Sequence, residues 1–148
     1  YIRYNIKNEV IRMSMEEFAS HVLSRAYKKE INITNLQLQK VMYYALKESV
    51  LENPALENIA KEIYTEPFQV WRYGPVVPEI YSKFSGFGAS SLPTILYKEY
   101  DEYKDFNPKI DYLLEQNPFD LVNRSHQEDF WQKNPLNTNY SLEDVING

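Results

Sequence analysis

The chain has 148 residues, 43% apolar and 25% charged, with no cysteine and a net charge of −5. That length and composition suit one globular domain with a sizeable core and exclude global disorder, while the missing cysteines exclude disulfides, thiolate nucleophiles and cysteine-bound metals and fit the reducing cytoplasm. The acidic balance argues against general nucleic-acid binding, which needs clustered Lys and Arg, and no apolar run reaches the length of a membrane span.

Met13 and Met15 both read as candidate translation starts, so residues 1–12 are taken as an N-terminal extension, upstream of the domain or added to it, and 13–148 as the domain. Ser14 and Glu17 then give the S-x-x-E pattern of a capping box. Met15, Phe18, Ala19, Val22 and Ala26 follow at three- to four-residue spacing, predicting a helix to about Lys28. Thr34 and Gln37 repeat the signal for a second helix with Leu38, Val41, Met42, Ala45, Leu46 and Val50 as its buried stripe. Asn53 and Pro54 end it, because the residue before a proline avoids helical dihedrals. Leu56, Ile59, Ala60 and Ile63 predict a short third helix.

Residues 66–72 read as extended, with Phe68 and Val70 alternating with Gln69. The sequence WRYGPVVP at 71–78 then predicts a rigid elbow. Gly74 permits a turn that other residues resist, Pro75 fixes the next φ, and Pro78 suits the first turn of a new helix with Glu79 at its positive end. Ile80, Tyr81 and Phe84 are expected inward. Residues 85–94 predict a flexible loop. Over 96–106, Tyr97, Tyr100, Tyr103 and Phe106 recur every three residues, which we read as a helix. Asn107 with Pro108 and Asn117 with Pro118 each read as a cap and first turn, with Ile110, Leu113 and Leu114 inward after the first, and Phe119 and Val122 after the second. A last helical turn begins at Ser141, with Asp144 three residues on. The fold class is mainly α: a single compact helical domain with a short extended segment around 66–72 and a Gly/Pro elbow at 73–78.

Familiar catalytic signals are missing. His21 reads as a partly exposed residue of the first helix. His126 and Glu128 lie two residues apart and so do not share a helix face, and no second local His or Cys completes a metal set. His126 reads as a hydrogen-bonded structural residue beside Trp131, in preference to the centre of a hydrolase. Paired acids such as Glu16 and Glu17 diverge on a helix, and no phosphate-binding loop or nucleophile elbow occurs. No catalytic residue, metal or cofactor is expected. The first two helices form a conceivable helix–turn–helix, since residues 1–50 carry eight Lys/Arg against five acids. Its early base readers are limited to Gln37, Gln39 and Lys40.

Three blocks in order carry a resemblance: INITNLQLQKVMYYA at 31–45, FQVWRYGPVVPEIY at 68–81 and LVNRSHQEDFW at 121–131. They resemble, respectively, the N-x-L-K-L-Q-K-L-L-Y-F-A helix, the A-W-x-Y-G-P-V-x-P-x-L-Y elbow and the terminal T-H-x-x-x-x-W block of the Panacea domain. That domain occurs in SocA-like antitoxins and GepA-type phage-associated proteins. The similarity spans about residues 15–132, with Ser125 in place of the more usual Thr.

The resemblance implies a cytoplasmic antitoxin that binds and neutralises a cognate protein toxin without catalysing a reaction. In one branch of the family the domain is a proteolytic adaptor presenting its toxin to ClpXP; that role and a DNA-binding regulator are the alternatives. Carried over by position, the matching residues are Leu36, Leu38, Gln39, Lys40, Tyr43, Trp71, Tyr73, Gly74, Pro75, Val76, Pro78, Tyr81, His126 and Trp131. Leu36, Leu38 and Tyr81 are expected in the core, and Pro78 sets backbone geometry. Gln39, Lys40, Tyr43, Trp71, Tyr73, Gly74, Pro75, Val76, His126 and Trp131 are the implied partner-binding set.

Overall fold

The computed structural model describes residues 3–4, 6–7, 10–11 and 13–148. Within the segment read as an extension, β1 (Arg3–Tyr4) pairs antiparallel with β2 (Val10–Ile11); residues 1, 2, 5, 8, 9 and 12 lie outside the described residues. The remainder is mainly helical, with a second two-stranded ribbon at the elbow.

Helix α1 (Met15–Lys28) buries Phe18, Ala19, Val22, Leu23 and Ala26. Its capping box is half formed. Ser14 Oγ accepts from Glu17 N, but the Ser14 N–H donates to the Tyr103 hydroxyl, which in turn donates to the Glu17 carboxylate. Tyr103 thus stands between the two residues that would otherwise bond each other. Helix α2 (Asn35–Glu52) is capped by Thr34 and also lacks the reciprocal bond, because Gln37 reaches away to the Leu114 carbonyl. This helix is buried on nearly every side, packed by α1 and by elements that follow. A helix enclosed in this way is the core of its domain.

Pro54–Leu56 forms a turn of 3₁₀ helix, followed by α3 (Glu57–Ile63). The extended segment is β3 (Gln69–Trp71), which pairs antiparallel with β4 (Gly74–Val76). The elbow is therefore a hairpin whose turn residues are Arg72 and Tyr73. Neither has positive φ; that falls on Gly74, at φ 100, as in loops where a type I turn is followed by a left-handed glycine. The outer side of β3 is also paired, with Val70 N donating to Thr138 O and Tyr140 N to Phe68 O. Helix α4 (Pro78–Lys83) starts on Pro78 as expected, burying Ile80 at its centre while Phe84 is buried just beyond its end. Tyr81 is only half-buried, with its ring edge-on to Trp71.

The 85–94 loop begins with a 3₁₀ turn, Ser85–Phe87, and is anchored by buried Leu92, whose N–H donates to Ile33 O. The expected α-helix over 96–106 does not form. Tyr97 and Tyr100 are extended, and Asp101–Phe106 is 3₁₀ helix. The three-residue recurrence of aromatics matches the 3.0-residue turn of that helix over its later half. Earlier, Ser20 Oγ bonds both N and O of Lys98, and Tyr100 N donates to His21 Nδ1, which holds this strap extended along α1.

Helix α5 (Asn107–Leu114) follows, with Asn107 accepting from His21 instead of capping. Helix α6 (Pro118–His126) is capped by Asn117, whose side chain accepts from Phe119 N. Phe119 itself is 71% exposed, against expectation. The buried arc of α6 is set by Leu121, Val122 and Ser125, and Phe119 falls outside it. The chain closes with α7 (Asp129–Lys133) and α8 (Leu142–Asn147), the latter with a complete Ser141/Asp144 capping box. Helices α5, α6 and α8 and strand β4 all pack on α2. Among the described residues no helix is long and apolar enough to cross a membrane.

Candidate functional site

Two sets of side chains hold the hairpin at 69–77 by its backbone. From beneath, α2 supplies a polar edge within its otherwise apolar surroundings. Asn35 Nδ2 donates to Tyr81 O at 3.0 Å, Gln39 Oε1 accepts from Val77 N at 2.9 Å, and Lys40 Nζ donates to Pro75 O at 2.8 Å. From the side, α6 and α7 cap the turn. His126 Nε2 lies 2.9 Å from Arg72 O, and Trp131 Nε1 donates to Trp71 O at 2.8 Å. The His126 and Trp131 rings stack with centroids 4.0 Å apart. A His ring nitrogen facing a carbonyl must carry the proton, so His126 donates here.

Gly74 fits this frame for two reasons. Its φ of 100 is unfavourable for any residue with a Cβ, and a Cβ at this position would overlap Ser125 Oγ and come within 2.8 Å of Lys40 Cε. The hairpin backbone at Gly74 therefore lies directly on the side chains of Ser125 from α6 and Lys40 from α2. Ser125 Oγ is turned back to Val122 O.

Lys40 is fully buried, and removal from water pushes its ammonium down from 10.5 to about 7. A buried lysine with a single carbonyl partner is costly, and its role here is to satisfy a carbonyl that the proline-containing strand leaves inside.

One turn further along α2 lies a second polar cluster that local sequence could not predict. Tyr43 Oη donates to Glu128 Oε1 at 2.6 Å and Tyr44 Oη to Glu128 Oε2 at 3.1 Å, with Lys47 Nζ 3.6 Å away. Burial and the neighbouring carboxylate hold both phenols well above the usual tyrosine range. Tyr43 also makes edge contacts with Tyr44, Phe68 and Tyr140. The only local hint was that Glu128 sits two residues beyond His126 in SHQEDFW. The two side chains go to different partners, so they form no acid–base pair. Among the described residues no group of three or more His, Cys, Asp or Glu could hold a metal ion.

The implied contact set thus divides. Gln39, Lys40, Tyr43, Gly74, Pro75 and Val76 are buried, and their side chains act inside the domain. Trp71, His126 and Trp131 are half-buried at the surface, and Tyr73 is 54% exposed. Leu38 is core as expected, whereas Leu36 is half-buried. Gln37, Gln39 and Lys40, the base readers of the helix–turn–helix alternative, are all buried and face protein, so α2 is not a recognition helix.

His21 corrects another expectation. It is fully buried, with Nδ1 accepting the Tyr100 N–H at 3.0 Å and Nε2 lying 2.6 Å from Asn107 Oδ1. Those partners fix the neutral tautomer protonated on Nε2, and burial lowers its pKa below 6.5.

The profile described as antitoxin SocA-like, Panacea domain, matches residues 38–118, a stretch that runs from α2 through the hairpin to the start of α6. The chain belongs to this family. No curated protein and no solved structure matches it. The matched stretch contains the second half of the helix block, from Leu38 to Ala45, and the hairpin block, and the geometry explains why the two occur together. Gln39 and Lys40 of the first are the hydrogen-bond partners of Val77 and Pro75 in the second. The third block, with His126 and Trp131, lies beyond the matched residues and closes over the same turn.

Proposed function

We propose that this Panacea-domain chain is an antitoxin that neutralises a cognate protein toxin in the cytoplasm by binding it, without a chemical step. Residues 13–148 act as the binding unit, with 1–12 as an extension. Trp71, Tyr73, His126 and Trp131 make the contact, and Gln39, Lys40, Tyr43, Gly74, Pro75 and Val76 form the frame behind them. The observation that carries this reading is the double bracing of the hairpin. The carbonyls of Trp71, at the end of β3, and of Arg72, in the turn, are each satisfied by a side chain from another element, so the aromatics around the turn are held ready. Pre-organised aromatic groups with polar tips are the residue types that dominate interface energetics.

Co-expression with the product of the neighbouring reading frame tests the proposal. The expected result is rescue of growth from that product's toxicity, with a stable complex on purification. A double variant, Tyr73→Ala with Trp131→Ala, should weaken rescue while remaining folded by circular dichroism. Rescue that occurs only in cells with an intact ClpXP protease would assign the adaptor role instead. A non-toxic neighbour, or full rescue by the double variant, would overturn the contact assignment.

A further inference from the structure

The braced turn projects two side chains outward, Arg72 and Tyr73, and their chemistry specifies what the surface receives. Arg72 is exposed, and its guanidinium carbon lies 5.6 Å from the centroid of the Tyr73 ring. It has no carboxylate partner among the described residues. The other cations at this end of the molecule are committed. Arg124 lies 4.2 Å from the Tyr44 ring and bonds Glu48, and Lys133 pairs with Asp129. Arg72 is thus an unneutralised guanidinium on an acidic protein, mounted on a hairpin whose Trp71 and Arg72 carbonyls are fixed from behind. A guanidinium lying against a phenol keeps its edge N–H groups free, and that fork matches a carboxylate in a bidentate geometry. An arginine beside rigid aromatics is also the composition of an interface hot spot.

We infer that Arg72, lying against Tyr73, is the specificity-determining residue of this surface and receives a carboxylate, from an Asp or Glu side chain of a protein partner. This rests on the proposed partner-binding role of the hairpin. A nucleic-acid phosphate would satisfy the same fork, but the net charge of −5 opposes a polyanion and favours a single acid carried on a protein.

The test uses the full ¹⁵N-labelled chain and three probes: acetyl-Ala-Glu-Ala-amide, acetyl-Ala-Lys-Ala-amide and a twelve-nucleotide single-stranded DNA. The acidic peptide is expected to shift the Arg72 side-chain Nε–H and the Trp131 indole N–H resonances saturably. Arg72→Gln should reduce that affinity at least five-fold, and Arg72→Lys should recover only part of it. The variants carry an exposed change, so an unchanged amide spectrum elsewhere certifies their folding. A stronger response to the basic peptide, a stronger response to the DNA, or an undiminished response in Arg72→Gln each overturns the inference. If Arg72→Gln still binds and neutralises the toxin as wild type while Tyr73→Ala with Trp131→Ala does not, the binding role stands and the carboxylate assignment falls.

Discussion

The hairpin at 69–77 and the strap at 94–106 pose the same structural problem and answer it differently. Each is a non-helical segment that must satisfy its backbone groups against a helix. The hairpin does so with fully buried groups of α2, Gln39 and Lys40, and with two ring N–H donors, around a glycine that no other residue replaces. The strap relies on Ser20 and His21 and on the ion pairs of Arg25 and Lys28 with Glu99. The first arrangement is locked by sterics and burial. The second depends on a neutral His21 and on partly exposed charges, so perturbing the hairpin should cost more, and the strap should respond to acid and to salt, whereas the hairpin responds to pH only through buried Lys40, above neutrality.

The largest effect is expected at Gly74→Ala. Backbone strain and overlap with Ser125 and Lys40 together should cost about 4 kcal/mol in urea unfolding. Adding Ser125→Gly should recover the Ser125 part of the overlap but neither the Lys40 part nor the φ share. A loss under ~1 kcal/mol would mean that the hairpin is not locked at this point.

Lys40 supplies the next largest. Its ammonium sits near 7 in the folded chain against 10.5 when exposed, so the unfolded chain holds more protons between those values. Stability therefore rises with pH, by about 3 kcal/mol from pH 7 to 9.5. In Lys40→Met that rise should vanish, whatever the net change from orphaning the Pro75 carbonyl. Glu128→Gln should cost about 2 kcal/mol, because a charged acceptor shared by two buried phenols is lost; Tyr44→Phe, removing the longer of the two bonds, should cost less.

On the strap, His21 must be neutral to accept the Tyr100 N–H. Its folded pKa is below 6.5, so its contribution is complete above that pH and is lost as pH falls below it. Hydrogen exchange should show 97–106 opening on acidification before the hairpin does, and His21→Asn should remove that acid sensitivity. Simultaneous opening of both regions would erase the contrast. The smallest effect is expected from Lys133→Ala, whose exposed pair with Asp129 should contribute under ~0.5 kcal/mol.

The same contrast explains what the sequence could tell. The hairpin was legible as an elbow because its determinants are local: Gly74 for the positive φ, Pro75 and Pro78 for fixed φ. Its strand pairing was not foreseen, since β4 contains a proline and is three residues long. The helix starts at Ser14, Thr34, Asn117 and Ser141 were likewise readable from capping residues. The strap was not, because its conformation is imposed by Ser20 and His21, about 80 residues away in the chain. For the same reason His21 was expected at the surface and Tyr103's insertion into the α1 cap was invisible. At the candidate site, the blocks singled out the candidate residues, but only the packing separates the buried frame from the four that reach solvent.

Hydroxyl-radical footprinting of the complex with the neighbouring gene product tests the central claim most directly. Protection of Trp71, Tyr73, His126 and Trp131, with Tyr97, Tyr100 and Tyr112 unchanged, is the predicted pattern. Protection of the strap and α5 tyrosines, with the hairpin aromatics still oxidised as in the free protein, would contradict it.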